Sequence, residues 1–153
     1  MDQYKMVENK LKELEIDFKI VDHPPATTTK LADKFIEGHE GVRTKSMFLT
    51  DRKKKNFYLV ILDDYKRLDM DRFKDIVGEK KVKMASENSL MEKMKLPAGT
   101  VSPFGLLNNE DHDIKFFMDK EIVDEEIMTF HPNINEKTLF LKTKDLFKYL
   151  DNI

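Results

Sequence analysis

The chain contains no cysteine. That excludes disulfides, thiolate nucleophiles and cysteine-ligated metals, and makes a reducing cytoplasm the simplest compartment. No apolar run approaches the roughly 18 residues that a membrane-spanning helix requires, so no membrane association is expected. The opening residues, MDQYKMVENKLKELEI, lack the apolar stretch and small-residue cleavage site of a secretory signal. Charge of one sign is also missing. Lysines and arginines number 27 against 29 acidic residues, a net of -2, which argues against a protein that coats nucleic acid. Glycine is scarce, with five in 153 residues, and two of them bracket GTVSPFGLL, Gly99 to Leu107. Recognisable nucleotide and hydrolase motifs are absent too: no GxGxxG, no GxxxxGK[ST], no HExxH and no GxSxG elbow. The four histidines, at 23, 39, 112 and 131, are scattered. Asp111-His112-Asp113 reads as a solvated turn, because three adjacent residues on regular backbone cannot all face one ion. No metal and no cofactor are expected.

What is present is a soluble, periodic pattern. Apolar residues make up 40% of the chain and recur in blocks, enough for one core. Residues 2–15 read as an amphipathic helix and 17–22 as a strand ended by His23-Pro24-Pro25. Thr28 or Thr29 caps a helix, TKLADKFI, with Leu31, Ala32, Phe35 and Ile36 on one face. Ser46 to Thr50 and Asn56 to Leu62 flank a charged connector and predict a hairpin with lysines at its tip. FYLVIL is apolar on both faces and predicts a central strand covered on both sides. RLDMDRFKDIVG predicts a helix ended by Gly78, KVKMAS a short strand, and SENSLMEKMKL a helix capped by Ser86. IKFFMD predicts a strand, MTFHPNINEKTLFLKT two short runs, and TKDLFKYL a closing helix capped by Thr143. Strands and helices mix without strict alternation. The expectation is a single α/β (α+β) domain over 1–153, with a mixed sheet flanked by helices.

Three pieces stand out as candidates for chemistry. In Gly99 to Gly105, glycine permits unusual backbone, Pro103 fixes its own φ, and Ser102 before it is pushed extended. Gly105 lets another backbone or a ligand approach. The Thr100 and Ser102 hydroxyls, or free backbone amides, can face a carbonyl or phosphate oxygen. A tight crossover between helix and strand explains the same residues. Lys45 begins the predicted hairpin and is followed by apolar residues, a place from which to contact phosphate or ribose or to polarise a carbonyl. A snorkelling surface lysine fits equally. His131 precedes a proline between apolar runs, so its ring points either into a cleft or into a satisfied structural role.

These pieces occur together, in the same order, in a known family. HPPATTT (23–29), GVRTKSMFL (41–49), LPAGTVSPFGLLN (96–108) and FHPNINEKTLFL (130–141) resemble four motifs of the YbaK-like and ProX-like aminoacyl-tRNA editing proteins. These are freestanding relatives of the insertion domain of bacterial prolyl-tRNA synthetases. The chain is most similar to the ProX branch, which hydrolyses alanine mischarged on proline tRNA. The resemblance implies a metal-free deacylase in which water attacks the ester directly. Lys45, Gly99 and Ser102 would serve catalysis. Thr44, Ser46, Thr100, Val101, Pro103, Phe104 and His131 would bind substrate. Ser46 stands where many relatives carry asparagine. Met47, Phe104 and Leu106 are candidate pocket walls. Lys30, Lys34, Arg43, Lys80, Lys81 and Lys83 would contact tRNA. The implied partners are the acceptor end of tRNA(Pro) and prolyl-tRNA synthetase, with the protein a monomer. Cysteinyl- or seryl-tRNA as substrate, or a non-catalytic tRNA-binding module, are the alternatives.

Overall fold

A computed structural model describes residues 2–153. Helix α1 (Gln3–Glu13) starts at Asp2, whose carboxylate accepts from the Tyr4 and Lys5 amides. Strand β1 (Phe18–Asp22) follows, then α2 (Thr29–Phe35), where the Thr28 hydroxyl accepts from the Leu31 amide at 3.1 Å. The expected hairpin is β2 (Val42–Asp51) and β3 (Phe57–Asp63), paired antiparallel with Lys45 opposite Leu62. Next come α3 (Met70–Val77), β4 (Val82–Met84) and α4 (Glu87–Met94), the last capped by Ser86 as its sequence implies. A short 3-10 helix (Pro103–Asn108), β5 (Ile114–Met118), α5 (Lys120–Val123), β6 (Ile127–Phe130), β7 (Lys137–Lys142) and α6 (Thr143–Asp151) complete the chain. Thr143 is not the cap of α6; it is the first helical residue, and its hydroxyl instead donates to the Glu125 carbonyl.

The strands form one mixed sheet in the order β1-β7-β6-β2-β3-β5, with β4 added to β2. β3 lies inside it, antiparallel to β2 and parallel to β5. Its side chains alternate between two cores. Phe57, Leu59 and Ile61 join the larger core, with α1, α4 and α6 residues such as Leu11, Met94 and Tyr149. Tyr58, Val60 and Leu62 join a smaller one with Phe73 of α3. A strand buried on both faces has no polar side to show, hence the unbroken apolar run. Each such side chain contributes about 1.5–3 kcal/mol through burial.

The sheet has one discontinuity that builds the site. On one edge β2 pairs with β3 throughout. On its other edge it pairs with β6 only at Val42 and Arg43, and with β4 only from Leu49 to Asp51. Between those contacts, Thr44 to Met47 have no strand beside them on that edge among the described residues, and the Phe48 carbonyl accepts from the Ala85 amide at 2.9 Å just past β4.

Candidate functional site

That gap is the floor of a cleft of about 380 Å³, an ordinary size for a small-molecule pocket. Thr44, Lys45, Ser46 and Phe48 of β2 line the floor. One wall is the segment entering α2 and its stripe Thr29, Ala32, Asp33 and Ile36, whose i, i+3, i+4 spacing puts them on one helical face. Thr129, Phe130 and His131 at the end of β6, with Thr138 of β7, form a second. Met84, Glu87 and Leu90 form a third, and Ala98, Gly99 and Val101 close the fourth.

The cleft therefore gathers Thr44, Lys45, Ser46, Gly99, Val101 and His131 from three distant stretches of sequence. Lys45 is half-buried and has no carboxylate within ion-pairing distance among the described residues. Gly99 has φ +91°, a conformation that side chains with a Cβ rarely adopt. The amides of Gly99, Thr100 and Val101 have no acceptor among the described residues, so this turn presents a short row of unused donors.

His131 is half-buried, and its Nδ1 lies 3.4 Å from the Lys137 carbonyl. That contact assigns the proton to Nδ1 and leaves Nε2 an acceptor. Burial is the main cause of a pKa below the ordinary histidine value, with the nearby His23 adding to it; the Lys137 carbonyl and Asp33 oppose the shift. The ring is thus neutral at physiological pH. His23 stands behind it, ring centroids 6.5 Å apart, held between Phe35, the Pro24 carbonyl and the Thr138 hydroxyl.

Other predicted residues lie elsewhere. Ser102 is fully buried behind the cleft: its hydroxyl donates to Asn133 Oδ1 at 2.9 Å and accepts from the Phe104 amide at 3.1 Å, capping the 3-10 helix. Such a hydroxyl cannot reach an ester in the cleft, which corrects its reading as catalytic. Thr100 turns its hydroxyl to the Pro97 carbonyl at 2.9 Å. Pro103 and Phe104 are buried, Phe104 against Phe130 and Tyr149, while the Tyr149 hydroxyl donates to the Pro103 carbonyl at 2.9 Å. Gly105 gives close approach not to a ligand but to the end of α4 and to Leu96, two residues beyond it. A Cβ there would sit 2.4 Å from Met94 Cε and 2.8 Å from Leu96 Cδ1. Met47 packs in the smaller core and Leu106 against the larger, so neither is a wall of the cleft; Ala32, Ile36, Phe48, Leu90, Val101 and Phe130 are.

Arg43 is also corrected. Its guanidinium donates to the carbonyls of Gly41, Ile36 and His39 at 2.8, 3.0 and 2.8 Å, which ties the end of α2 to β2 and leaves little of it for phosphate. Lys30 and Lys34 are exposed on α2, next in sequence to the lining residues Thr29 and Asp33. Lys80, Lys81 and Lys83 are exposed on the segment that leads to Met84 at the cleft. Asp111 and Asp113 pair with Lys93 at 3.5 and 2.6 Å, consistent with the turn expected there.

Two features of the cleft and its support escaped the sequence reading. One is Asn133, which anchors the Gly99–Gly105 loop from a backbone of φ +64°. The other is Asp33. Its signal was available: an acidic residue on an otherwise small or apolar helical stripe.

The chain is similar to known proteins over most of its length. The profile of the aminoacyl-tRNA editing domain matches residues 23–149. The prolyl-tRNA editing protein ProX of Acetoanaerobium sticklandii is 35% identical over 148 residues, covering 97% of this chain and 90% of that protein. The prolyl-tRNA synthetase associated domain-containing protein 1 of Bos taurus is 30% identical, covering 95% of this chain and 87% of that one. A solved structure of a candidate trans-editing enzyme for prolyl-tRNA synthetase shares the fold, with a TM-score of 0.77 at 18% identity over 97% of this chain and 92% of that one. The four motifs, the fold and the match over most of the chain lead to one assignment: this protein belongs to the aminoacyl-tRNA editing domain family.

Proposed function

We propose that the protein is a trans-editing deacylase that cleaves the ester between alanine and the 3′-terminal ribose of mischarged tRNA(Pro). The observation that carries this reading is the interrupted edge of β2. It puts an unpaired lysine, a row of free amides and a neutral histidine around one cleft. The name of the ProX relative supplies the prolyl system.

An aminoacyl ester is already activated, so placement and charge stabilisation supply most of what hydrolysis needs. Water adds to the ester carbonyl carbon, and the carbonyl oxygen becomes an oxyanion. The Gly99, Thr100 and Val101 amides receive that charge; one such donor is typically worth about 10²–10³ in rate. Nε2 of neutral His131 accepts the water's proton and returns it to the ribose oxygen as the carbon–oxygen bond breaks. Free alanine and intact tRNA result. Lys45 holds the 3′ end or the ester carbonyl by charge.

Selection among amino acids falls to Ala32, Ile36, Leu90 and Val101. One methylene is worth only about 1–3 kcal/mol, so proline is excluded by clash rather than by weaker attraction. The tRNA acceptor end is held by Lys30, Lys34 and the Lys80–Lys83 cluster. Prolyl-tRNA synthetase, which makes the mischarged substrate, is the natural partner.

The test is release of free alanine from alanyl-tRNA(Pro), set beside cysteinyl- and seryl-tRNA. Release from the alanyl ester well above the others supports the reading. Preference for another ester reassigns the substrate, and no release by folded protein overturns the reading altogether.

A further inference from the structure

The cleft contains two carboxylates, and only one of them is set into its wall. Glu87 is exposed in the first turn of α4, where the helix start already favours it. Asp33 is half-buried on α2, and its carboxylate has neither an ion pair nor a side-chain hydrogen bond to a donor among the described residues. Asp64, just past β3, lies within hydrogen-bonding reach of it and has a buried Oδ2 that meets no donor among the described residues. Two such carboxyls cannot both ionise cheaply. Burial, then the Asp33 carboxyl as hydrogen-bond partner and as charge, then Asp63, push Asp64 up to about 8, and Arg43 offsets this only in part. A proton kept on Asp64 and donated to Asp33 satisfies the orphaned oxygen and leaves one net negative charge at the cleft. That charge faces the same space as His131, which feels it.

A half-buried negative charge without a partner in a binding cleft calls for a cation. The substrate read above carries one, the α-ammonium on the carbon next to the ester carbonyl. We propose that Asp33 is the seat of the substrate's α-ammonium group, with Asp64 as its positioning partner. The inference rests on the deacylase reading. It adds that the ester is held from both sides, its oxyanion by the Gly99–Val101 turn and its amine by α2. Esters whose amine is acylated, as in peptidyl-tRNA, would lose this contact and be spared.

The experiment compares alanyl-tRNA(Pro) with lactyl-tRNA(Pro), in which a hydroxyl of similar size replaces the ammonium. A hydrogen bond to a charged group is worth about 1.5–3 kcal/mol, so the wild type should favour the alanyl ester by at least about tenfold in kcat/KM. Asp33→Asn should lower the alanyl rate about tenfold more than the lactyl rate, so that the preference between the two esters collapses. Asp33→Glu should keep part of the preference. Equal wild-type rates on the two esters overturn the proposal. So does an Asp33→Asn variant that slows both esters by the same factor, the mark of a merely structural role. If the wild type cleaves neither ester, the deacylase reading fails, and binding decides this proposal separately. Titration with 3′-alanylamido-3′-deoxyadenosine and its lactylamido counterpart should show an amine preference that Asp33→Asn removes. Equal affinity for the two overturns it.

Discussion

Gly99, Thr100 and Val101 leave their amides without acceptors, while Ser102 to Gly105, next in the chain, are buried and bonded on all sides. The front of this loop faces the cleft. The back is fastened to Asn133 through Ser102, to α6 through Tyr149, and to Met94 and Leu96 through Gly105. The difference teaches why so small a loop needs so much support. Donors aimed at a developing charge help only if they do not move, because reorganisation would consume the gain. The front can stay unsatisfied because the back is over-determined.

Substitutions should divide along that line. Lys45→Ala, at the front, should reduce alanine release at least about 100-fold, the scale of losing a transition-state contact, with no change in melting temperature. If release is unaffected, Lys45 is not part of the machinery. Gly105→Ala, at the back, drives a methyl into Met94 and Leu96 and should cost about 1–3 kcal/mol in denaturant unfolding. Activity per folded molecule should fall far less than in Lys45→Ala; an equal loss without destabilisation would abolish the distinction between front and back. Ser102→Ala removes a cap and a buried bond and should cost about 1–2 kcal/mol, again with turnover of the folded fraction lowered far less than by Lys45→Ala.

A smaller effect is expected from Asp64→Asn, and it depends on pH. The folded pKa of Asp64 lies above its unfolded value, so the folded state keeps a proton that the unfolded state releases. Its stabilising contribution is complete below the ordinary aspartate range and fades as pH rises towards about 8. Asp33, Asp63 and Arg43 face this group, and Glu40, Glu125 and Glu126 line the same outer hollow. Wild-type melting temperature should therefore fall between pH 5 and 9 more than that of the variant. Parallel curves would show that Asp64 ionises normally. The smallest change should come from replacing Lys80, Lys81 and Lys83 together with alanine. KM should rise a few-fold, and its salt dependence should flatten by about one unit of log–log slope per lost phosphate contact. Unchanged salt dependence would remove this cluster from the tRNA-binding surface.

Much of the architecture was legible because its signals are local. The double-faced apolar run of β3, the Ser86 and Thr28 caps and Gly78 at the end of α3 each act within a few residues. The 3-10 helix after Pro103 and the four-residue α5 were not legible, since neither spans enough residues to show a period. Lys45, Gly99, Val101 and His131 were found by pattern, but Arg43 was misread. A basic residue in sequence says nothing of the carbonyls that the end of α2 turns towards it. Asp64 went unremarked among 29 acidic residues, because what distinguishes it is a tertiary meeting with Asp33, whose place on the stripe of α2 was the one local sign.

The missing neighbour beside Thr44 to Met47 has a consequence for strand addition as well. An unpaired strand edge ordinarily recruits strands from other molecules and seeds aggregates. Here the bare window is bounded along the same edge by β6 at one end and β4 at the other. A foreign strand of usual length would collide with both before making enough rungs to hold. The window can thus leave backbone open to a small guest while excluding a foreign strand.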